Sequence, residues 1–375
     1  MPPIPLRPAR AAVVQDWFFA PGGSERCALE LIHLLPASDV FTTFFDQIYR
    51  QEFEPSRLHT WPLQRILGPT ARYRSLLPLY PLWFTMLDLR NRDLVISSSV
   101  AFSHAVRTAP SAIHVSYVYT PLRYAWDLDN YLAGSSLSAL SRLGARTLRP
   151  VLQRWDRATA KRPDVIVAIS ETVRERVSRL WGRESEVIYP PVETASIPRS
   201  TTDDGYLLVA ARMLAYRRID LAVAAATQLS RELVVVGAGP EEQRLRAMAG
   251  ATVRFLGTVD RATLVDLFSR CHAYVVPGIE DFGIAPVEAM AAGKPVVGFG
   301  SGGVAETVVD GVTGVLFDRQ DVGSFCRAIE RLDGMTFDPA AIRARAEMFD
   351  VAVFRSRWKE LFARLGVDPV LYTST

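Results

Sequence analysis

Two glutamates, Glu280 and Glu288, stand on either side of a Phe-Gly-Ile in VVPGIEDFGIAPVEAMAAGKPVV, Val275 to Val297. AYVVP reads as a buried strand, IEDFGI as the turn leaving its carboxyl end, and VEAMAA as a helix. Pro286 suits the first helical position, where a missing N–H costs nothing, and Gly293 with Pro295 ends the helix. This predicts Glu288 in the first helical turn and Glu280 in the loop above it. Backbone N–H groups of Phe282, Gly283 and Ile284 then open onto a helix N-terminus, a ready anion site, and Gly283 lets a ligand approach the backbone closely. A nucleoside diphosphate fits: phosphate on the N–H groups, ribose hydroxyls donating to a carboxylate. An isolated pair of this spacing is equally a solvated carboxylate beside one that favours a helix dipole. Paired carboxylates also serve glycoside hydrolysis, although a carboxylate next to an anion site argues against that use.

The elements that must position these groups recur along the chain. Its 375 residues suit two domains. AAVVQDWF, DVFTTFF, DLVISSS, IHVSYVY and DVIVAIS read as strands, with CALELIHLL as a helix after the first. Tyr189 to Gly205, rich in Pro, Ser and Thr, reads as a linker. Then YLLVAA, ELVVVGA, VRFLG, AYVVPG, PVVGFG and TGVLF repeat the pattern. Continuous apolar runs, rather than alternation, imply parallel sheets covered on both faces. The expected fold class is therefore α/β: two doubly wound Rossmann-like domains whose strand carboxyl ends face a central cleft. The expected boundaries are 1–192, 193–350 and an amphipathic tail, 351–375, packing back on the first domain.

EDFGIAPVEAMAAGKPVV, followed by SGGVAETVVDGVTGVLF, resembles the donor-site signature of retaining glycosyltransferases of family 4, which have the GT-B fold; the resemblance covers nearly the whole chain. It implies that Glu288 holds the donor ribose and that Glu280 contacts the transferred sugar as a catalytic residue. ARMLAYRRIDLAV (Ala211 to Val223) matches a segment whose Arg and Lys bind the diphosphate. Here those positions are Arg212 and Arg217, a planar fork replacing a compact ammonium, with Arg218 as a substitute. Gly22 and Gly23, in QDWFFAPGGSER, match a glycine pair that cradles the diphosphate. VSYVYTPLRYAWDLDNYL (Val115 to Leu132) is similar to the mannosyl- and rhamnosyltransferase-like subgroup of surface polysaccharide synthesis. The family's histidine near the transferred sugar falls on Tyr119, whose phenol keeps a hydrogen bond but not the histidine's proton affinity. The implied activity is transfer of a hexose, mannose or a deoxyhexose, from a nucleoside-diphosphate sugar to a glycan or lipid-linked acceptor, with no metal and no other cofactor. A sugar-nucleotide epimerase of the same fold, or an inactive nucleotide-sugar-binding subunit scarred at Tyr119, stay open as alternatives.

Other signals weigh less. Asp127-Leu128-Asp129 is a short D-x-D that the donor site does not need. VVVGAGPEEQRL puts Glu242 where a dinucleotide fingerprint has its third glycine, so Gly237 and Gly239 read as a tight strand-to-helix turn. All but three of the 43 basic residues are arginine (the lysines are 161, 294 and 359), and the net charge is +3; no motif for nucleic acid accompanies them. Cys27, Cys271 and Cys326 suit reduced thiols in a cytoplasm. MPPIPLRPAR lacks a signal peptide's apolar core, and Ser75 to Leu87 carries two prolines and falls short of the ~20 residues of a spanning helix. Seven basic residues between Leu137 and Arg162, interleaved with leucines, together with Tyr73 to Phe84, suit peripheral contact with the anionic inner face of the plasma membrane; a solvated helix fits equally well.

Overall fold

The computed structural model describes residues 10–19, 22–67, 76, 79–129 and 139–369. The chain divides into two compact units. The first holds the chain up to Trp126, Thr147–Pro191 and the residues from Phe354 on; the second holds Asp127–Arg146 and Val192–Val353.

The first unit is built on seven strands: β1 (Ala11–Gln15), β2 (Asp39–Thr42), β3 (Leu58–Thr60), β4 (Leu94–Ser99), β5 (Ile113–Val118), β6 (Val165–Ala168) and β7 (Glu186–Val187). Their order is β3-β2-β1-β4-β5-β6-β7, every pair parallel. The second unit carries β8 (Leu207–Ala210), β9 (Leu233–Val236), β10 (Val253–Gly257), β11 (Ala273–Val276), β12 (Val296–Phe299) and β13 (Gly314–Phe317). These are ordered β10-β9-β8-β11-β12-β13, again all parallel. Central strands such as AAVVQ, LVVV and AYVV are buried at every position, which is why their sequences run apolar without alternating.

Each sheet has one switch point, where the chain builds outward on one side and then crosses back to start the other. In the first sheet it lies between β1 and β4, with Val13 beside Ile96; in the second it lies between β8 and β11, with Leu208 beside Tyr274. Helices leaving those two strands diverge, and a crevice opens at their carboxyl ends. In the first sheet the chain fills that position itself. Asp16, directly after β1, is fully buried and accepts the N–H groups of Val100 (2.6 Å), Ala101 (3.0 Å), Phe102 (2.7 Å) and Ser103 (3.0 Å), which follow β4. Burial pushes its carboxyl up to about 6, against the pull of those four donors.

Leu207, Val209, Val275, Val297, Phe325 and Ile329 centre the second unit's core; Tyr80, Phe84, Phe102 and Trp61 centre an aromatic cluster in the first. Within the first unit Trp358 and Phe354, from the Val351–Arg364 helix, lie edge-on to Tyr117 with ring centroids 5.6 and 6.0 Å away, and Arg355 Nε is 2.6 Å from Glu30. The segment read as a linker is not loose. Val192 N–H donates to Phe349 O, the Arg343 guanidinium donates to Thr194 O and Ile197 O, and Ser200 N–H donates to Ala292 O. The passage from the first unit to the second falls inside this segment, between Pro191 and Val192. Among the described residues, no helix is long and apolar enough to cross a membrane.

Candidate functional site at the second switch point

Two loops meet beyond the carboxyl ends of β8 and β11. The first carries Arg212, which is exposed, and then a single turn of 3₁₀ helix, Ala215–Arg217. The second runs from Gly278 to Gly283, the N-cap of the Ile284–Ala291 helix. Gly283 has φ +92°, a conformation a side chain would strain, and an added Cβ would lie 2.9 Å from Pro286 Cγ. The helix starts at Ile284, two residues before the sequence suggested. Pro286 is therefore its third residue and Glu288 lies in its second turn; Pro286 is tolerated because N–H groups of a first turn have no intrahelical partner.

Glycines let the loops touch backbone to backbone. A Cβ on Gly278 would fall 2.6 Å from Arg217 O, and one on Gly303 would fall 2.3 Å from Phe282 Cα. Gly303 N–H donates to Glu280 O at 2.8 Å. The Ser-Gly-Gly after β12 is thus the buttress of the glutamate-bearing turn. Phe282 is buried, its ring edge-on to Phe349 at 5.5 Å. Gly302→Ala combines φ +73° with a Cβ only 2.4 Å from Glu280 O. It should cost about 2–3 kcal/mol in urea unfolding of the second unit, whereas Gly205→Ala, equally left-handed but with nothing near its Cβ, should cost about 1 kcal/mol. Gly237 and Gly239 play the same part below: their Cβ positions lie 2.2 Å from Ala211 O and 2.4 Å from Met213 O. Backbone already occupies the space a pyrophosphate would need in a dinucleotide fingerprint.

Each glutamate holds an arginine. Glu280 is paired with Arg217, whose guanidinium also lies over the Tyr216 ring, 5.3 Å from its centroid. Glu288, only 3% exposed, takes a 2.8 Å contact from Arg261 Nη1. In both arginines one N–H nitrogen, Arg217 Nε and Arg261 Nη2, is buried without a hydrogen-bond partner. Such donors cost about 1–3 kcal/mol unless something fills them, and each lies beside a carboxylate, at the place where a switch point opens. Arg218, by contrast, takes φ +51° and turns its guanidinium onto Asp220 at 3.2 Å. Arg261 was not found from the sequence. It opens the Arg261–Arg270 helix behind Asp260, whose carboxylate caps Thr263 N–H at 2.8 Å; the cap is legible, but nothing in it points to a glutamate 27 positions on.

In the first unit Gly22 is the N-cap and Gly23 the first residue of the Gly23–Leu34 helix. Tyr119, just past β5, does not present a free hydroxyl as expected for a group facing a sugar. It is 9% exposed, donates to Ser24 O at 3.0 Å and lies 2.9 Å from Ser98 Oγ. Burial raises its phenol well above the usual range, so it stays protonated. Glu25, in the first turn of the same helix, is 6% exposed and accepts Ser24 Oγ at 2.7 Å; burial pushes its carboxyl up to about 7. Trp126 donates its indole N–H to Asp156 at 2.6 Å, with Arg157 stacked on its ring at 4.7 Å. Asp129 pairs with Arg146 at 3.2 Å.

Two family models match the chain: residues 21–196 fit one described as Glycosyltransferase Family 4, and residues 193–335 fit one described as Glycosyl transferases group 1. The chain belongs to glycosyltransferase family 4. Among curated relatives of this family 4 chain, the glycogen synthase of Mycobacterium tuberculosis is 30% identical over 201 residues, 49% of this chain and 48% of that protein. The D-inositol 3-phosphate glycosyltransferase of Mycobacterium leprae is 34% identical over 134 residues, 32% of this chain and 31% of that one. The family 4 chain thus spans about half the length of the first relative and about a third of the second. Anabaena Alr3699/HepE, solved in complex with UDP, shares 18% identity and superposes with a TM-score of 0.69 over 95% of this chain and 100% of that one. The fold is GT-B.

Proposed function

We propose that the chain is a retaining hexosyltransferase that moves a hexose from a nucleoside-diphosphate sugar to a hydroxyl of a glycan or lipid-linked acceptor in surface polysaccharide synthesis. The observation that carries this reading is the second switch point. Two glutamate–arginine pairs, each with an unfilled buried donor, flank a helix N-terminus capped by a left-handed glycine. Phosphate oxygens accept from the Gly283 and Ile284 N–H groups, from Arg217 Nε and from exposed Arg212. As the C1–O bond to the diphosphate breaks, negative charge gathers on those oxygens and the same donors stabilise it. The acceptor oxygen bonds to C1 on the face the diphosphate leaves, and its proton passes to the departing phosphate oxygen, which balances the step without a separate base. Glu280 faces the positive charge growing at the sugar.

Tyr119 serves as a positioning residue: it ties β5 to the helix behind Gly22 and Gly23. With its hydroxyl spent on Ser24 O and Ser98, it is no mark of a lost catalytic histidine, which weakens the inactive-subunit alternative. Exposed Leu148 and Val151 lie among exposed Arg146, Arg154 and Arg157, which supports a lipid-linked acceptor at an anionic inner membrane face; Tyr73 to Phe84, expected to share that role, lies partly outside the described residues. The base is left to experiment. UDP accompanies the HepE structures, while the subgroup resemblance favours GDP-mannose. A thermal-shift panel of UDP, GDP, ADP and dTDP with their sugars decides it. One base should give about 2.7 kcal/mol of stabilisation at a hundredfold excess over Kd, a shift of several degrees. No shift with any of them removes the donor site.

A further inference from the structure

We propose that Arg261 is the specificity residue for the nucleoside of the donor: with Glu288 it forms a matched donor–acceptor couple that grips a ribose hydroxyl. This rests on the nucleotide-sugar reading above and adds to it a residue that no family motif supplied.

Glu288 is one of the most buried carboxylates in the second unit, 3% exposed. A carboxylate so deep needs a polar partner, and Arg261 Nη1 provides one at 2.8 Å. A partner placed only to neutralise Glu288 would turn both terminal nitrogens onto protein oxygens or leave the second one in water. Instead Arg261 Nη2 is buried and unpaired, although the residue as a whole is about a third exposed. The pair therefore presents an acceptor and a donor next to each other.

A ribose hydroxyl is the complement of that couple, since it donates one proton and accepts through its oxygen. Position agrees as well. Phosphate on the Gly283 and Ile284 N–H groups lies four residues, about 6 Å of helix rise, from Glu288, close to the span from a diphosphate to the ribose hydroxyls. A site built to bond a hydroxyl rejects the analogue that lacks it, because Arg261 Nη2 is then left buried and unpaired. No such discrimination follows if Arg261 is only a counter-ion.

The test is calorimetric titration of the whole chain with the nucleoside diphosphate that the thermal-shift panel selects and with its 2′-deoxy and 3′-deoxy forms. The wild type should prefer the ribonucleotide over one of the deoxy forms by about 30-fold or more. Arg261→Met, similar in length and apolar at its tip, should lose about tenfold or more in affinity for the ribonucleotide and bind the deoxy form nearly unchanged, collapsing the preference. Arg261→Lys keeps the charge beside Glu288 but has no second nitrogen; it should fold like the wild type, hold most of the affinity and still lose most of the preference. A lysine variant with the wild-type preference overturns the proposal, even if the methionine variant fails to fold. So does a wild type that binds ribo and deoxy forms alike. A wild type that binds no nucleoside diphosphate overturns the nucleotide-sugar reading, and the role of Arg261 falls with it.

Discussion

Replacing Glu280 by glutamine should leave the protein folded and able to bind nucleoside diphosphate, yet reduce sugar transfer by about 10²–10³-fold. The side chain keeps its shape, and the contacts that seat the turn are made by backbone: Glu280 O accepts Gly303 N–H, and Glu280 bridges Gly302. Stability should therefore change by less than about 1 kcal/mol. What is lost is charge. Glu280 is paired with Arg217 and 15% exposed, so without donor each offsets the other. In the proposed mechanism phosphate oxygens draw the guanidinium, and the carboxylate then faces the electron-poor sugar carbon as the C1–O bond lengthens. An amide cannot supply that field. It also leaves Arg217 with its full charge, so diphosphate affinity should hold or rise while kcat collapses. Steady-state kinetics beside calorimetry with the nucleoside diphosphate separates the two. Wild-type kcat removes Glu280 from the mechanism; joint loss of kcat and diphosphate affinity reassigns it to holding Arg217 in place.

Much of this site was legible in the sequence because backbone rules dictate it. A buried apolar strand, a turn with a glycine that must be left-handed, and a helix opening on small residues place Glu280, Gly283 and Glu288 from local propensity alone. The helix start slipped by two residues because Pro286 is acceptable at any first-turn position, so it marks the turn and not the residue. Arg217 and Arg212 were found through the matching segment. Arg261 was not, because its meaning arises from the packing of two helices, Arg261–Arg270 and Ile284–Ala291, and local sequence does not encode side-chain meeting points that far apart. Tyr119 was misplaced for the same reason. Its environment is set by Ser24 and Ser98, on two other elements, and a position inferred from a motif says nothing of which way a hydroxyl points. The linker reading found the passage between the units, at Pro191 and Val192, but composition does not show that Arg343 anchors the run that follows.

The largest loss of stability should come from Asp16→Ala, about 4–5 kcal/mol in chemical unfolding of the first unit. Four consecutive N–H groups, Val100 to Ser103, converge on that one carboxylate, and Asp16, Ala101, Phe102 and Ser103 are all buried. Alanine removes the acceptor these four groups share and is too small to let the loop close over the gap. Asp16→Asn is the sharper control: its size is kept, but its NH₂ points one donor group at others, so it should recover less than half of the loss. Near-native stability of either variant would mean that water replaces the carboxylate at no cost. The comparison with the second unit gives this residue its meaning. Both sheets are wound alike, and in the first the backbone N–H groups converge on Asp16 where β1 meets β4. In the first the chain supplies its own anion and closes the position. In the second it pairs each arginine with a glutamate but leaves Arg217 Nε and Arg261 Nη2 buried without a partner. On the proposed function that difference directs the diphosphate to the second unit, and Asp16→Ala measures what the first unit gains by being closed.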